Sequence, residues 1–162
     1  MCVGRSIPVS SRTWRQTVKH ITYVFGWNAR EGDDAIDLPA PRATATVDGM
    51  EIYTVNDEHD TVPEVAYLVK VDGLSIYHAG DYVGQIERRR DDMRYLLGRA
   101  GTVDLAFVQR IGQAEALAPA VVFPIHAADR EYMYGAFARE AAAIGLASRV
   151  ICPENKGDRW IF

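Results

Sequence analysis

A chain of 162 residues is long enough for one domain with a sizeable buried core. Hydrophobic residues make up 48% and charged residues 25%, which sets disorder aside, and a formal net charge of -4 argues against a general nucleic-acid binder. The basic run Arg88-Arg89-Arg90 is answered at once by Asp91-Asp92 and reads as a solvated helix face.

In chain order, Met1 to Ser11 lacks the apolar stretch of a signal peptide. Trp14, Val18, Ile21 and Phe25 recur at helical spacing, so an amphipathic helix is expected over 12–25. Asn28 to Pro41 collects Gly, Asp, Ala and Pro and reads as a loop. From Ala43 the texture is β. Thr44–Val47 and Met50–Val55 flank Asp48-Gly49, and Val65–Val71 and Leu74–His78 flank Asp72-Gly73. Two-residue Asp-Gly connections between extended runs predict hairpins, because both turn positions need positive φ. Val65, Tyr67, Val69 and Val71 share one face of their strand, with Ala66 and Leu68 on the other, so both faces are expected to be covered.

After Gly84 the period lengthens. Ile86, Met93 and Leu97 predict a helix that stops at Gly98. Val103–Val108 and Ala120–Ile125 are strands. A helix over 130–144 follows, with Asp129 as N-cap, Met133, Phe137, Ala141 and Ile144 inward, and Gly145 as stop. Arg149–Cys152 and Arg159–Phe162 read as closing strands. Hairpins followed by alternating strands and helices give an α/β layer structure with a mixed sheet. The chain divides into an irregular segment, 1–42, and a folded unit, 43–162.

No segment reaches the ~20 apolar residues of a membrane span. Cys2 and Cys152 are too few and too far apart for a disulfide framework and read as free thiols in a reducing cytoplasm. The expected protein is soluble and cytoplasmic, with a small-molecule substrate, no nucleic-acid partner and no membrane span.

Three polar residues stand at or just past predicted strand ends, where α/β folds gather their sites. His59 follows the second hairpin strand, Asp81 closes His78-Ala79-Gly80-Asp81, and His126 ends the apolar run Val121 to Ile125. Imidazole and carboxylate suit zinc, manganese or iron. His78 reads as a satisfied structural histidine, with a ligand-orienting role as the rival. Tyr132 and Tyr134 read as core or rim, and Asn155 and Asp158 as turn residues.

Gly73-Leu74-Ser75-Ile76-Tyr77-His78-Ala79-Gly80-Asp81 resembles the strand–Gly–Asp segment of the metallo-β-lactamase superfamily. It is most similar to the ascorbate-6-phosphate lactonase-like and N-acylphosphatidylethanolamine phospholipase D-like branch. His59 precedes that segment, Val103–Val108 resembles the next strand, and Pro119 to His126 resembles the "proline, apolar run, proline, X, histidine" segment. Pro153 to Arg159 fits the way that branch ends, so the likeness covers about Ala43 to Phe162, the C-terminal half of the αββα sandwich. The resemblance implies that Asp81 bridges two metals, zinc being the first choice, while His59 and His126 each ligate one. It also implies hydrolysis of an ester, lactone or phosphodiester by a metal-bound hydroxide, with Asp81 the central catalytic group.

The string His-X-His-X-Asp-His, which supplies that family's further ligands, occurs nowhere in the chain; His20, beside Lys19, is the sole histidine before His59. Three groups do not fill a two-metal site. The rival expectation is therefore a non-catalytic half-domain or an assembly subunit completed by a partner chain. A half alone exposes one apolar sheet face, which predicts a homodimer. At ~25 cal/mol per Å², covering ~400 Å² is worth about 10 kcal/mol before association costs.

Overall fold

The computed structural model describes residues 23–25, 35–37, 40–56, 65–81, 86–155 and 157–161, and of 23–25, 35–37 and 86–89 the backbone alone. Two short strands come first, β1 (Tyr23–Phe25) and β2 (Ala35–Asp37), paired in parallel. Both correct the sequence reading. Tyr-Val-Phe, β-branched and aromatic, extends where the expected helix had its last turn, and β2 lies inside the expected loop. The rest of that helix lies outside the described residues.

The main sheet has seven strands among the described residues, in sequence order across the sheet. They are β3 (Thr44–Val47), β4 (Met50–Asn56), β5 (Val65–Val71), β6 (Leu74–His78), β7 (Leu105–Val108), β8 (Val121–Pro124) and β9 (Arg149–Val150). Pairing is antiparallel from β3 to β6 and parallel from β6 to β9. The mixed sheet follows from the connections. Asp48-Gly49 (φ 49° and 81°) and Asp72-Gly73 (φ 50° and 80°) make the expected tight turns. The parallel strands are joined through α1 (Ile86–Ala100), α2 (Ile111–Leu117) and α3 (Tyr132–Ala143).

All three helices lie on one face. Val55, Ala66, Leu68, Tyr77, Ala106, Val108 and Val122 from the sheet pack against Met93 and Leu96 of α1, Ala114 and Leu117 of α2, and Phe137 and Ala141 of α3. Truncating a side chain such as Leu68, which is fully buried, costs about 2–5 kcal/mol. The alternate residues, Val47, Ile52, Tyr67 and Val69, form a separate cluster on the opposite face. Arg99 lies over the rings of Tyr53 and Tyr95, and Arg42 over Tyr95, so arginine–aromatic contacts tie α1 to β4 and the segment before β3.

The structure moves several expected boundaries. Gly98 sits inside α1, which runs to Ala100; Gly101, at φ 79°, is the residue that ends it. α2 went unread because Ile-Gly-Gln-Ala-Glu-Ala-Leu has neither a Ser, Thr, Asp or Asn cap before it nor enough length to show a period. Asp129 does not cap α3; Glu131 is the N-cap, without a side-chain cap bond. Phe137 and Ala141 point inward as expected, but Ile144 is 47% exposed because it lies past the last turn, where Gly145 (φ 68°) reverses the chain. Arg159–Ile161 forms no strand; it follows β9, and Trp160 instead sets its ring edge-on against Phe123.

Candidate functional site at the carboxyl edge of the sheet

The strands β6, β7 and β8 run side by side in one direction, so their carboxyl ends share an edge. The ladder continues a step past the strands: Ala79 N–H donates to Phe107 O, and Ile125 N–H to Val108 O. Beyond it each strand contributes one polar side chain, Asp81 after β6, Gln109 after β7 and His126 after β8. β4 is antiparallel to β5 and β5 to β6, so β4 also ends at this edge, at Asn56. His59, three positions further on, lies outside the described residues, as does His20.

Two of the three expected ligands meet. His126 Nε2 is 2.9 Å from Asp81 Oδ1, with the side chains 45% and 35% exposed. Gln109 joins them: its Nε2 donates to the same Oδ1 at 3.1 Å and to Gly80 O at 3.0 Å. Among the described residues no group of three His, Cys, Asp or Glu side chains is arranged to hold a metal ion. The carboxylate and imidazole that do converge suit zinc, manganese or iron.

The backbone carrying these groups departs from the ordinary. His126 (φ 64°), Ala128 (φ 49°) and Asp129 (φ 65°) occupy the left-handed region without being glycine, at about 1–3 kcal/mol each. Arg130 steadies that loop, its Nε donating to Ala127 O at 3.2 Å. On the β6 side Gly80 takes positive φ (63°), and its N–H donates to His78 Nδ1 at 3.0 Å. His78 thus steadies the residue before Asp81. Its ring rests 5.6 Å from that of Phe107, and burial pushes its pKa below the ordinary 6.5 although the residue keeps more than a third of its surface exposed.

A buried relay lies behind Gln109. The Oε1 of Gln113, a fully buried residue of α2, accepts from the backbone N–H groups of Gln109 and Arg110, each at 3.3 Å. Its Nε2 donates to the hydroxyl of Tyr77, itself fully buried, at 3.1 Å. Sequence reasoning missed Gln109 and Gln113; the one signal available was the place of Gln109 directly after the strand ending at Val108.

The other residues singled out in the sequence do not enter the edge cluster. Tyr132 is 71% exposed, and the backbone O of Tyr134 accepts from Cys152 Sγ at 3.2 Å. Cys152 is a free, half-buried thiol whose pKa burial raises; Cys2 lies outside the described residues. Asp158 accepts from the N–H groups of Glu154 and Asn155, the turn role expected of it, and those bonds lower its pKa. No helix among the described residues is long and apolar enough to cross a membrane.

The sequence matches no family model and no curated protein. Solved structures do match. One, from Thermotoga maritima, is assigned to the Zn-dependent hydrolases of the metallo-β-lactamase superfamily; TM-score 0.44, 17% identity, 65% of this chain and 58% of that one covered. Another, from Parabacteroides distasonis, is assigned as a metal-dependent hydrolase; TM-score 0.46, 19% identity, with 68% and 55% covered. A variant of the CmlA β-hydroxylase reaches a TM-score of 0.50 at 11% identity, with 74% of this chain and 32% of that chain covered. CmlA is a diiron enzyme from Streptomyces venezuelae. The chain therefore spans little more than half the length of the first two structures and a third of CmlA. At 11% identity the likeness to CmlA is one of fold alone, and the chain's own mixed α/β sheet with helices on one face is the fold class expected from the sequence.

Proposed function

We propose that residues 43–162 are the C-terminal half-domain of a metallo-β-lactamase-type, metal-dependent hydrolase of the lactonase-like and phospholipase D-like branch, working in the cytoplasm. In this reading His59, Asp81 and His126 hold a divalent cation, zinc first, with manganese and iron as alternatives. The observation that carries it is the 2.9 Å approach of His126 Nε2 to Asp81 Oδ1, two groups far apart in sequence that meet past the ends of β6 and β8. The donor chemistry fits the cation, though two described donors are fewer than a closed site needs. The cation would supply Lewis acidity toward water and toward an ester, lactone or phosphodiester oxygen. Asp81 and His126 bind it, Gln109 orients the carboxylate, and the missing His-X-His-X-Asp-His leaves the isolated chain short of ligands. The expected result is zinc uptake with little or no turnover. Zinc titration of chain purified without added metal, followed by assay on a phosphodiester and a lactone, tests this. Absence of zinc uptake would remove the metal reading. Robust turnover abolished by Asp81→Ala would show that another segment completes the site.

A second reading, an assembly subunit, is favoured by the helix-free face. In register across the sheet stand Thr54, Tyr67, His78, Phe107 and Phe123. The Phe107 and Phe123 rings stack at 5.3 Å, and Trp160 continues the row. Among the described residues no helix covers this row, in which Thr54 and Phe123 are already buried and Tyr67 and Phe107 half-buried. A second copy of the chain, sheet against sheet, would cover what the row still exposes, and light scattering after size exclusion should report twice the 18.0 kDa of the chain. A monodisperse species of single-chain mass at micromolar concentration rules this out.

A further inference from the structure

We infer that Gln109 is a positioning residue for the Asp81 carboxylate, and that Gln113, buried behind it, positions Gln109 in turn. The inference rests on the reading of Asp81 and His126 as cation ligands and adds how their geometry is fixed.

The geometry is specific at each step. The Gln109 amide spans Gly80 O at 3.0 Å and Asp81 Oδ1 at 3.1 Å, so it fixes both the backbone before Asp81 and one carboxylate oxygen. That oxygen is also the one His126 approaches. A donor from the segment after a third strand thereby adds a second fixed contact to the carboxylate oxygen that His126 approaches. Gln109 can do this only if its own backbone is placed. Gln113 Oε1 accepts from N–H groups of Gln109 and Arg110, and its Nε2 anchors on Tyr77 of β6. Tyr77 lies four positions before Asp81, so the relay begins and ends on one segment and makes the β7–α2 connection move with it.

Packing does not explain the choice of residue. Gln113 is fully buried among Ala114, Leu117 and their neighbours, where an amide has to be hydrogen-bonded to be tolerated and an apolar side chain of similar size would fill the space without that demand. One acceptor contact, from the Arg110 N–H, closes the capping box at the start of α2, and the other, from the Gln109 N–H, reaches the loop that carries Gln109. Partners that orient a ligand without touching the ion typically change metal affinity by about 10–100-fold when removed.

The test uses the full chain and three readouts: zinc affinity by competition with a chromophoric chelator, thermal midpoint without metal, and solvent protection of the Gln109 side-chain amide by NMR. Gln109→Leu and Gln113→Met keep volume and remove the polar contacts. Each is expected to weaken zinc binding by about 10–100-fold, and Gln113→Met to expose the Gln109 amide although it leaves residue 109 intact. Gln109 is half-buried, so its variant keeps the test open should Gln113→Met fail to fold. Unchanged zinc affinity in a folded variant, whatever the thermal midpoint does, overturns the inference and leaves these glutamines structural. If the wild-type chain takes up no zinc, the metal reading fails by itself. The amide then decides: loss of protection in Gln113→Met supports the relay, and retained protection overturns it.

Discussion

The two ends of the β6–β7 pair each carry a polar cluster built on a half-buried aspartate, and they differ in what the aspartate meets. At the amino end Asp104 Oδ2 accepts from both the N–H and the hydroxyl of Ser75, at 2.8 and 2.9 Å, while the same hydroxyl also contacts Thr102 O. Ser75 is 4% exposed, and this cluster closes on neighbouring segments of one sheet. At the carboxyl end the Asp81 and His126 side chains stay 35% and 45% exposed, and the loop after β8 holds three non-glycine residues at positive φ. The first arrangement stitches strands together. The second keeps an imidazole and a carboxylate partly exposed beside a loop that carries backbone strain, which is what the proposed site requires.

Exchanging each aspartate for alanine should split affinity from stability. Asp81→Ala is expected to weaken zinc binding by more than about 100-fold, about 2.7 kcal/mol, which exceeds the usual loss on removing an orienting partner. Its effect on the urea midpoint should be small, because its partners His126 and Gln109 are exposed and half-buried and can turn to water, whereas Ser75 is buried. Asp104→Ala should do the reverse. It strands the buried Ser75 N–H, at about 2–3 kcal/mol of stability, with zinc affinity unchanged. Chelator competition and urea unfolding on both variants read the two effects; a loss of zinc affinity in Asp104→Ala equal to that in Asp81→Ala would erase the distinction between the ends.

A smaller effect probes the strain. Ala128 at φ 49° pays about 1–2 kcal/mol for its Cβ, and glycine would return it at an entropic cost of about 0.5–1 kcal/mol. Ala128→Gly should therefore stabilise the chain by about 0.5–1 kcal/mol while loosening the placement of His126, visible as weaker zinc binding. A destabilised variant would mean that the loop is held by contacts that need the methyl group.

What was legible in the sequence follows the range of each interaction. The Asp-Gly turns showed because their positive φ restricts residue type locally. Asp81 and His126 showed because apolar runs of strand length mark where a strand ends, and in a parallel sheet adjacent ends are close. Gln109 and Gln113 did not show: their roles depend on Tyr77 and Asp81, remote in the chain, and a glutamine carries no local signal. Gly98 and Gly101 look alike in sequence, yet only Gly101 takes positive φ. Arg159–Ile161 has strand composition, but Trp160 spends its ring on Phe123. The helix expected over 12–25 gave way at Tyr23–Phe25 to a strand whose partner, Ala35–Asp37, no local pattern announces.

The smallest effect concerns His78, which joins the outward cluster to the sheet. Burial lowers its pKa in the folded chain, so the unfolded chain binds the proton more readily. Stability then rises with pH across the window between the folded pKa and the ordinary value near 6.5. Read downward, stability is fully present above about pH 6.5 and declines as the solution is acidified through that window, until both states are protonated. One local interaction is lost with it: protonated Nδ1 cannot accept the Gly80 N–H. The ring is more than a third exposed, so water offsets much of the penalty and the slope should be shallow. His78→Gln removes the titrating group and should flatten the difference between urea midpoints at about pH 7.5 and about pH 5, a span that brackets ordinary imidazole titration. If the wild type and the variant lose stability equally on acidification, the burial of His78 carries no weight in the pH dependence of stability.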